Sequence, residues 1–385
     1  MSKVLFEVTE DHLETGLRGY PVGYCTTSTV DPQKGLFYVG KAVKDLALRK
    51  PEEVIYLLYF GKEGKPQEIA LFFSDLKKRS TLSEEVISAV VKLPRKGHPM
   101  QLLEAATTIL GMFAAVGDYQ EDGLNLIAKL PTLVATLINA HAGWGQTPPS
   151  NPDLGYMENF AHMLQVPGID KEKLCGAFKL FNILHYDHGG GNLSTFVGKA
   201  VASSLADMYA SMTAAFCALA GPRHGKANQD CLQFVHEVLQ EVGDAPTAEQ
   251  VEKCIRARLS SNKLVFGFGH AVLRVEDPRA TVMYDFLQKN YPNNPLVRLS
   301  LLLRSQGSKV LSENPKISDP HPNVDAISGV MLAVAGFNYP EYFTVLFGLS
   351  RAVGIARQII YERCEARGGK GTPIVRPKYL YKPIH

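Results

Sequence analysis

The sequence contains no Cys-x-x-Cys pair. Its six cysteines, Cys25, Cys175, Cys217, Cys231, Cys254 and Cys364, are scattered, most of them in apolar, helix-like surroundings. That spacing excludes a zinc ribbon and a dithiol redox motif, and it fits reduced, buried thiols. Excess charge is also scarce. A net charge of +3 over 385 residues argues against a protein built around nucleic acid. A small basic surplus still suits anionic small molecules held in one cleft. The opening segment MSKVLFEVTEDHLETGL has neither an apolar signal core nor an Arg-rich amphipathic presequence, so a cytoplasmic protein is expected. Apolar runs such as SMTAAFCALAG and ISGVMLAVAGF are too short to span a bilayer, and no membrane partner is expected. Internal repeats and low-complexity linkers are absent.

What is present is mostly helical. The stretch GYCTTSTVDPQKGLFYVG is the exception: rich in Thr, Val and Tyr, with a turn signal at Asp31-Pro32 and Gly35, it reads as a short β-hairpin. After it, helical periodicity dominates. PEEVIYLLYFG starts at Pro51 and ends at Gly61, and TLSEEVISAVVKL opens with Thr81 and Glu84 in capping-box spacing. Pro131 should kink the helix of LNLIAKLPTLVATLINAHAG. The small-residue-rich STFVGKAVASSLADMYASMTAAFCALAG predicts one long central helix that neighbours can approach closely. Thr247 and Gln250 form a second capping box. The last long helix, YPEYFTVLFGLSRAVGIARQIIYERCEAR, stops at Gly368, Gly369 and Gly371, before an extended, Pro-rich tail.

With 385 residues there is room for one large and one smaller unit. The fold class is mainly α, and the chemically special residues gather in the breaks between helices, where a rigid frame usually presents functional groups. His224 follows Gly221-Pro222 and precedes Gly225 in AGPRHGKAN. His270 follows Gly267 and Gly269 in GFGHAVLRVEDPRA. Asp325 precedes an apolar helix in PHPNVDAISG, where an ordinary N-cap is the plainer reading. His185 and His188 have metal-pair spacing in HYDHGGGN, but no third ligand is evident, and no metal is expected. The glycine run there lacks the lysine and preceding strand of a phosphate loop, and GFGHAV lacks the third glycine of a dinucleotide fingerprint. Taken together, two glycine-flanked histidines and a loop aspartate suggest acid–base work at a carbonyl. Arg279, Arg351 and Arg376 suggest a site for a di- or tricarboxylate, because arginine grips carboxylates in a bidentate fork.

The segments AGPRHGKAN, GFGHAVLRVEDPR, NVDAISG and TVLFGLSRAVG…RPK resemble, in order and spacing, the signature segments of citrate synthase. HYDHGGGN, GHPMQLLEAATTILG, LIAKLPTLVATL and MENFAHML are similar to that family too, so the resemblance covers essentially the whole chain. It implies a large helical domain, residues 1–224 and 332–385, and a small inserted helical domain, residues 225–331. It implies condensation of acetyl-CoA with oxaloacetate and water to citrate and CoA, with no cofactor beyond the CoA thioester as co-substrate. The closest rival is 2-methylcitrate synthase, which uses propionyl-CoA with the same residues. Two further rivals are a non-catalytic acyl-CoA-sensing relative and a metal protein built on His185 and His188.

Residue by residue, the resemblance makes Asp325 the base for the acetyl methyl group. His224 becomes the donor to the thioester carbonyl, and His270 the donor to the oxaloacetate ketone. It assigns the substrate carboxylates to His188, Arg279, Arg351 and Arg376, with Arg376 reaching across a homodimer. CoA contacts fall on Arg274, Leu264, Val265, Gly267 and Gly269, and Asn192 and Ser194 become supporting residues. Three departures stand out: Arg223 and Lys226 replace aliphatic residues beside His224, Gly189 replaces an acidic residue after His188, and FGFGH lacks the common Pro-Gly-Tyr form.

Overall fold

The computed structural model describes residues 3–383, which form sixteen α-helices and one three-stranded antiparallel sheet. The hairpin is where the sequence places it. Strand β1 (Ser28–Asp31) pairs with β2 (Gly35–Tyr38) in the register Ser28↔Tyr38 to Asp31↔Gly35, and β3 (Lys41–Ala42) adds a short third strand. Asp31 closes the turn by accepting hydrogen bonds from the backbone N–H groups of Gln33 (2.9 Å) and Lys34 (3.0 Å). Gly35 sits at φ +94°, and a Cβ there would lie 2.7 Å from Cδ of Pro278, so the hairpin tip lies directly on a later helix.

The helix Phe343–Ile360 is buried along its whole length and forms the axis of the core. Around it pack Tyr119–Ala142, Lys171–His185, Leu193–Ala202 and Met208–Leu219. Two helical stretches, Tyr119–Ala142 and Pro340–Glu365, are long and apolar enough to cross a membrane, which corrects the expectation that every apolar run is too short. Both are largely buried among the other helices.

Two local expectations change. The stretch expected as one long helix is two, Leu193–Ala202 and Met208–Leu219, with Leu205 at φ +70° in the break and Asp207 capping the second. The small residues serve the packing of these two helices on each other: a Cβ on Gly198 would lie 3.1 Å from that of Ala215. The helix Glu84–Val91 is capped by Ser83, not Thr81, because the Ser83 hydroxyl accepts from the Val86 N–H. Thr247 and Gln250 do form their capping box.

Pro131 lies inside Tyr119–Ala142, and the helix continues through it. A proline there leaves the carbonyl four residues earlier, Ile127, without its helical donor. The buried Tyr156 hydroxyl donates to that carbonyl at 2.7 Å and supplies the missing bond. Tyr156→Phe should therefore lower stability by about 1–3 kcal/mol, the cost of a buried acceptor left bare. The loss should shrink when Pro131→Ala restores the backbone donor. Equal losses in both backgrounds, measured by denaturant unfolding, would refute the compensation.

Candidate active site

The HYDHGGGN segment leaves the end of Lys171–His185 and is held from two sides. The Tyr38 hydroxyl donates to the carbonyls of Ile183 (3.1 Å) and Asp187 (3.3 Å). The buried Asp187 carboxylate accepts from the hydroxyls of Thr27 and Ser28 and, at 3.2 Å, from the Gly189 N–H. Gly189 sits at φ +79°, a conformation glycine adopts freely, which accounts for glycine at this position. On the other side Gly354 donates its N–H to the Tyr186 carbonyl (3.0 Å), and a Cβ on Gly354 would overlap the Asp187 carboxylate. The result is His188 facing His270, ring centroids 5.3 Å apart. His185 is engaged in the core: its ring stacks on Phe181 and meets Phe347 edge-on at 5.1 Å, and Nδ1 lies 2.7 Å from the Phe181 carbonyl.

His224 stands in the turn after Met208–Leu219. The backbone N–H of Ser194, a donor only, points at His224 Nε2 (3.3 Å), with Ser194 Oγ at 3.0 Å. Nε2 is therefore the acceptor nitrogen, and the ring proton sits on Nδ1. Ser194 is placed by Asn192, whose side chain caps Leu193–Ala202 through the Thr195 N–H (3.1 Å) and lies 2.8 Å from Ser194 Oγ. His224 and Arg351 meet the same ring, Phe347, at 6.2 Å and 4.7 Å.

His270 is fixed in the opposite tautomer. Its Nδ1 accepts from the N–H groups of Val272 (3.0 Å) and Leu273 (2.9 Å), so the proton is on Nε2. Its loop is zipped to the loop before Asp325: Gly269 N–H donates to the His321 carbonyl (3.0 Å), Asn323 N–H to the Gly267 carbonyl (2.9 Å), and Asn323 Nδ2 to the Gly269 carbonyl (2.9 Å). Gly267 allows the closeness, since a Cβ would lie 2.7 Å from Cα of Ala326. Asp325 opens the helix Asp325–Val334 but does not cap it, and its carboxylate accepts no hydrogen bond among the described residues. The ordinary N-cap reading is therefore excluded.

The site is cationic and buried. Arg279 and Arg351 are both at most 3% exposed. Arg279 is paired with Asp277 through Nε (3.1 Å) and Nη2 (2.6 Å). Arg351 has no carboxylate at ion-pair distance among the described residues; Nε donates to the His185 carbonyl (3.0 Å) and the guanidinium lies over Phe347. Burial pulls the Arg351 guanidinium down to about 10. Burial, reinforced by Arg351, pushes His224 down to about 4. Burial and Arg279 also lower His270, and burial with both arginines drives His188 well below the usual range. Burial lifts Asp325 to about 6 against the opposing pull of Arg279. All three histidines are thus neutral at physiological pH, and the aspartate is poised as a base.

Most residues singled out from the sequence come together here. Leu264, Val265 and Gly269 line, with His270, a cleft of about 380 Å³. Gly267 packs against Ala326 instead. Arg274 is exposed and folded back on its own loop, donating to the carbonyls of His270 (3.2 Å) and Leu273 (2.6 Å). Arg223 is exposed beside His224, and Lys226 lies 3.8 Å from Asp230. Arg376 is not brought to this site. It is exposed, and its neighbour Val375 donates its N–H to Ser203 Oγ (2.9 Å). Nine helical steps separate Ser203 from Ser194, about 13 Å. The sequence did not single out Asp187, Asp277 or Phe347. Asp277 had a signal, an aspartate directly before a helix-starting proline; Asp187 and Phe347 had none.

Gly354→Ala should push Asp187 aside, cost about 1–3 kcal/mol as overpacking does, and disorder the His188 loop. Gly176→Ala, where a Cβ meets nothing within 4 Å, is the control and should be neutral or stabilising. Retention of wild-type melting temperature and anion affinity by Gly354→Ala would overturn the role given to this contact.

A family model described as "Citrate synthase, C-terminal domain" matches residues 16–378. A mitochondrial citrate synthase of Citrus maxima is 35% identical over 97% of this chain and 83% of its own length. The mitochondrial citrate synthase 4 of Arabidopsis thaliana is 34% identical over 97% of this chain and 82% of its own. The citrate synthase structure from Thermotoga maritima superposes with a TM-score of 0.82 at 27% identity, covering 97% of this chain and 96% of that one. The two named sequence relatives are mitochondrial, which overturns the cytoplasmic expectation; the composition of an N-terminus was too little to carry a compartment. Near-complete coverage by a family model, whole-length relatives and a matching helical architecture lead to one conclusion: this chain belongs to the citrate synthase family of acyltransferases.

Proposed function

We propose that this protein condenses acetyl-CoA with oxaloacetate and releases citrate and CoA. The observation that carries the reading is the carboxylate of Asp325, which accepts no hydrogen bond among the described residues and shares the field of Arg279 and Arg351 with two histidines held as neutral donors of opposite tautomer. Asp325 takes a proton from the acetyl methyl group. A thioester α-proton is far too weakly acidic for a carboxylate alone, so the developing enolate needs a donor on its oxygen. His224 supplies Nδ1–H there. The nucleophilic carbon attacks the ketone carbon of oxaloacetate while the His270 Nε2–H hydrogen-bonds the ketone oxygen; the alkoxide ends protonated at the expense of the proton that Asp325 removed, so that His270 remains neutral and Asp325 returns to its base form. Water then cleaves citryl-CoA at the thioester, giving citrate and CoA.

Neutral histidines suit this chemistry, because a donor that stays neutral does not protonate the base beside it. The uncompensated Arg351 supports a dianionic substrate: oxaloacetate brings the counter-charge, held also by Arg279, His188 and Arg376 of the partner subunit. The cleft at Leu264, Val265 and Gly269 accepts the CoA, with Arg274 swinging out to its phosphates. Asn192 and Ser194 hold His224 in register. The ligands come from residues 1–224 and 332–385 on one side and 225–331 on the other, so a bound dianion would draw the two parts together and exclude water.

The test is oxaloacetate-dependent thiol release, run in parallel with acetyl-CoA and propionyl-CoA. One methylene is worth about 1–3 kcal/mol in a pocket, so a preference for propionyl-CoA would make the protein a 2-methylcitrate synthase. No release with either thioester would refute catalysis.

Asp325→Asn should keep the fold and lower turnover by about 10²–10⁴-fold, the usual loss for a positioned base. The base form of Asp325 exists above its pKa of about 6. In the wild type, kcat/KM should therefore fall tenfold per pH unit just below about 6, while His224, held down to about 4, still stays neutral there. A flat acid limb would exclude Asp325 as the base.

Shared sites predict complementation. Arg376→Ala and Asp325→Asn subunits, each nearly inactive alone, should regain activity when mixed, since one site per dimer then holds both residues. Confirmed subunit exchange without recovery would show that Arg376 serves its own chain.

A further inference from the structure

The cleft that ends at His270 contains a charged group that the proposed mechanism does not use. Asp319 is 4% exposed and lines this cleft together with Lys263, Phe268 and Lys316. One carboxylate oxygen, Oδ1, accepts from the His321 N–H at 3.3 Å. The other, Oδ2, is buried and has no hydrogen-bond partner among the described residues. Neither Lys263 nor Lys316 lies at ion-pair distance from it, and both are exposed at the rim. A buried oxygen without a donor costs stability, and it is tolerated where a ligand brings the donor.

The placement narrows what the ligand offers. The Asp319 carbonyl lies 3.5 Å from where a Cβ on Gly269 would be, so the residue is against the His270 loop. A carboxylate oxygen at this depth offers no seat to a carboxylate or phosphate oxygen of the ligand, since both are acceptors. It attracts a neutral N–H. The lysines at the rim suit phosphates outside, while the interior, with Leu259, Val265 and Phe268, suits an apolar body. A ligand with phosphates at one end and N–H groups along its length fits all of these features.

We propose that Asp319 is a specificity-determining residue for the thioester co-substrate: its free oxygen accepts a hydrogen bond from a CoA N–H, either the adenine amino group or a pantetheine amide. The inference rests on the reading of this cleft as the CoA site. Its consequence is selective. Asp319 sets the affinity for CoA and its thioesters and leaves oxaloacetate binding and the chemical step untouched. Asp319→Asn keeps the shape but turns a donor toward a donor or halves the acceptor capacity; Asp319→Ala removes the acceptor altogether.

The experiment measures CoA binding by calorimetry and thioester kinetics on the whole protein. The probes are CoA, its hypoxanthine analogue, which lacks the adenine amino group, and an analogue N-methylated at the pantetheine amides. Losing one hydrogen bond to a charged acceptor should weaken CoA binding about 10-fold or more. The KM for acetyl-CoA should rise alike in Asp319→Asn, with kcat and the KM for oxaloacetate within about twofold of wild type. Wild-type protein should lose affinity for one analogue only, which identifies the N–H concerned, and the variants should no longer discriminate against that analogue.

Unchanged CoA affinity in both variants overturns the proposal. So does wild-type indifference to both analogues, a result that needs no variant to fold. A rise in the oxaloacetate KM equal to that for acetyl-CoA would instead make Asp319 a support for His270, and overturns it too. CoA binding is read without turnover, so the outcome stands apart from the condensation assay: a protein that binds CoA through Asp319 yet releases no thiol refutes the proposed function and leaves this inference intact.

Discussion

A guanidinium buried without a counter-ion governs the chemistry of this site. Arg351 sits on the central helix at the same face as Phe347 and Gly354, spaced four and three residues apart, so the helix presents ring, charge and gap together. Its neighbour Arg279 is balanced by Asp277; Arg351 is not. Burial holds the nearby histidines unprotonated, Arg351 adds to that effect at His188 and His224, and the same cation lowers the cost of ionising the buried Asp325. Each of His224 and His270 then accepts at one ring nitrogen and offers a neutral N–H from the other, and the tautomers are set by backbone N–H groups that cannot reverse roles. Electrostatics and geometry therefore agree on who donates and who accepts before any substrate arrives.

The glycines of the site are less about flexibility than about clearance. Gly354 leaves room for the Asp187 carboxylate, Gly267 lets the His270 loop lie on the start of the Asp325 helix, and Gly35 seats the hairpin on Pro278. Each close approach joins segments distant in sequence, and each places a functional side chain one or two residues away.

Much of this was legible in the sequence. The hairpin announced itself by its turn, the helices by their periodicity, and His224 and His270 by standing in glycine-rich breaks between apolar stretches; Asp325 read by itself as an ordinary N-cap and stood out only beside the two histidines. What was hidden depended on partners far along the chain. Asp187 reads as a solvated loop residue until Thr27 and Ser28 arrive from the hairpin. The break at 203–207 has no glycine or proline to mark it and depends on a leucine held at positive φ. Pro131 shows in the sequence that a helical donor is missing, but not that the Tyr156 hydroxyl, 29 residues from the carbonyl it serves, takes its place. Local rules describe elements well; they do not describe which buried polar group finds a donor across the fold.

The hairpin has a temporal consequence. Its base grips Asp187, 160 positions downstream, and its tip receives the Arg274 N–H and Pro278. Tyr24, just before it, accepts from Gln358, 334 positions away. A segment made early by the ribosome thus completes its seat only once the helix Phe343–Ile360 has emerged. Contacts of such high sequence separation slow folding and leave apolar surface uncovered meanwhile. A growing chain of this protein carries its hairpin as an unfinished edge, and the catalytic pocket comes into existence only as a late event of the whole chain's folding, never as the property of any fragment.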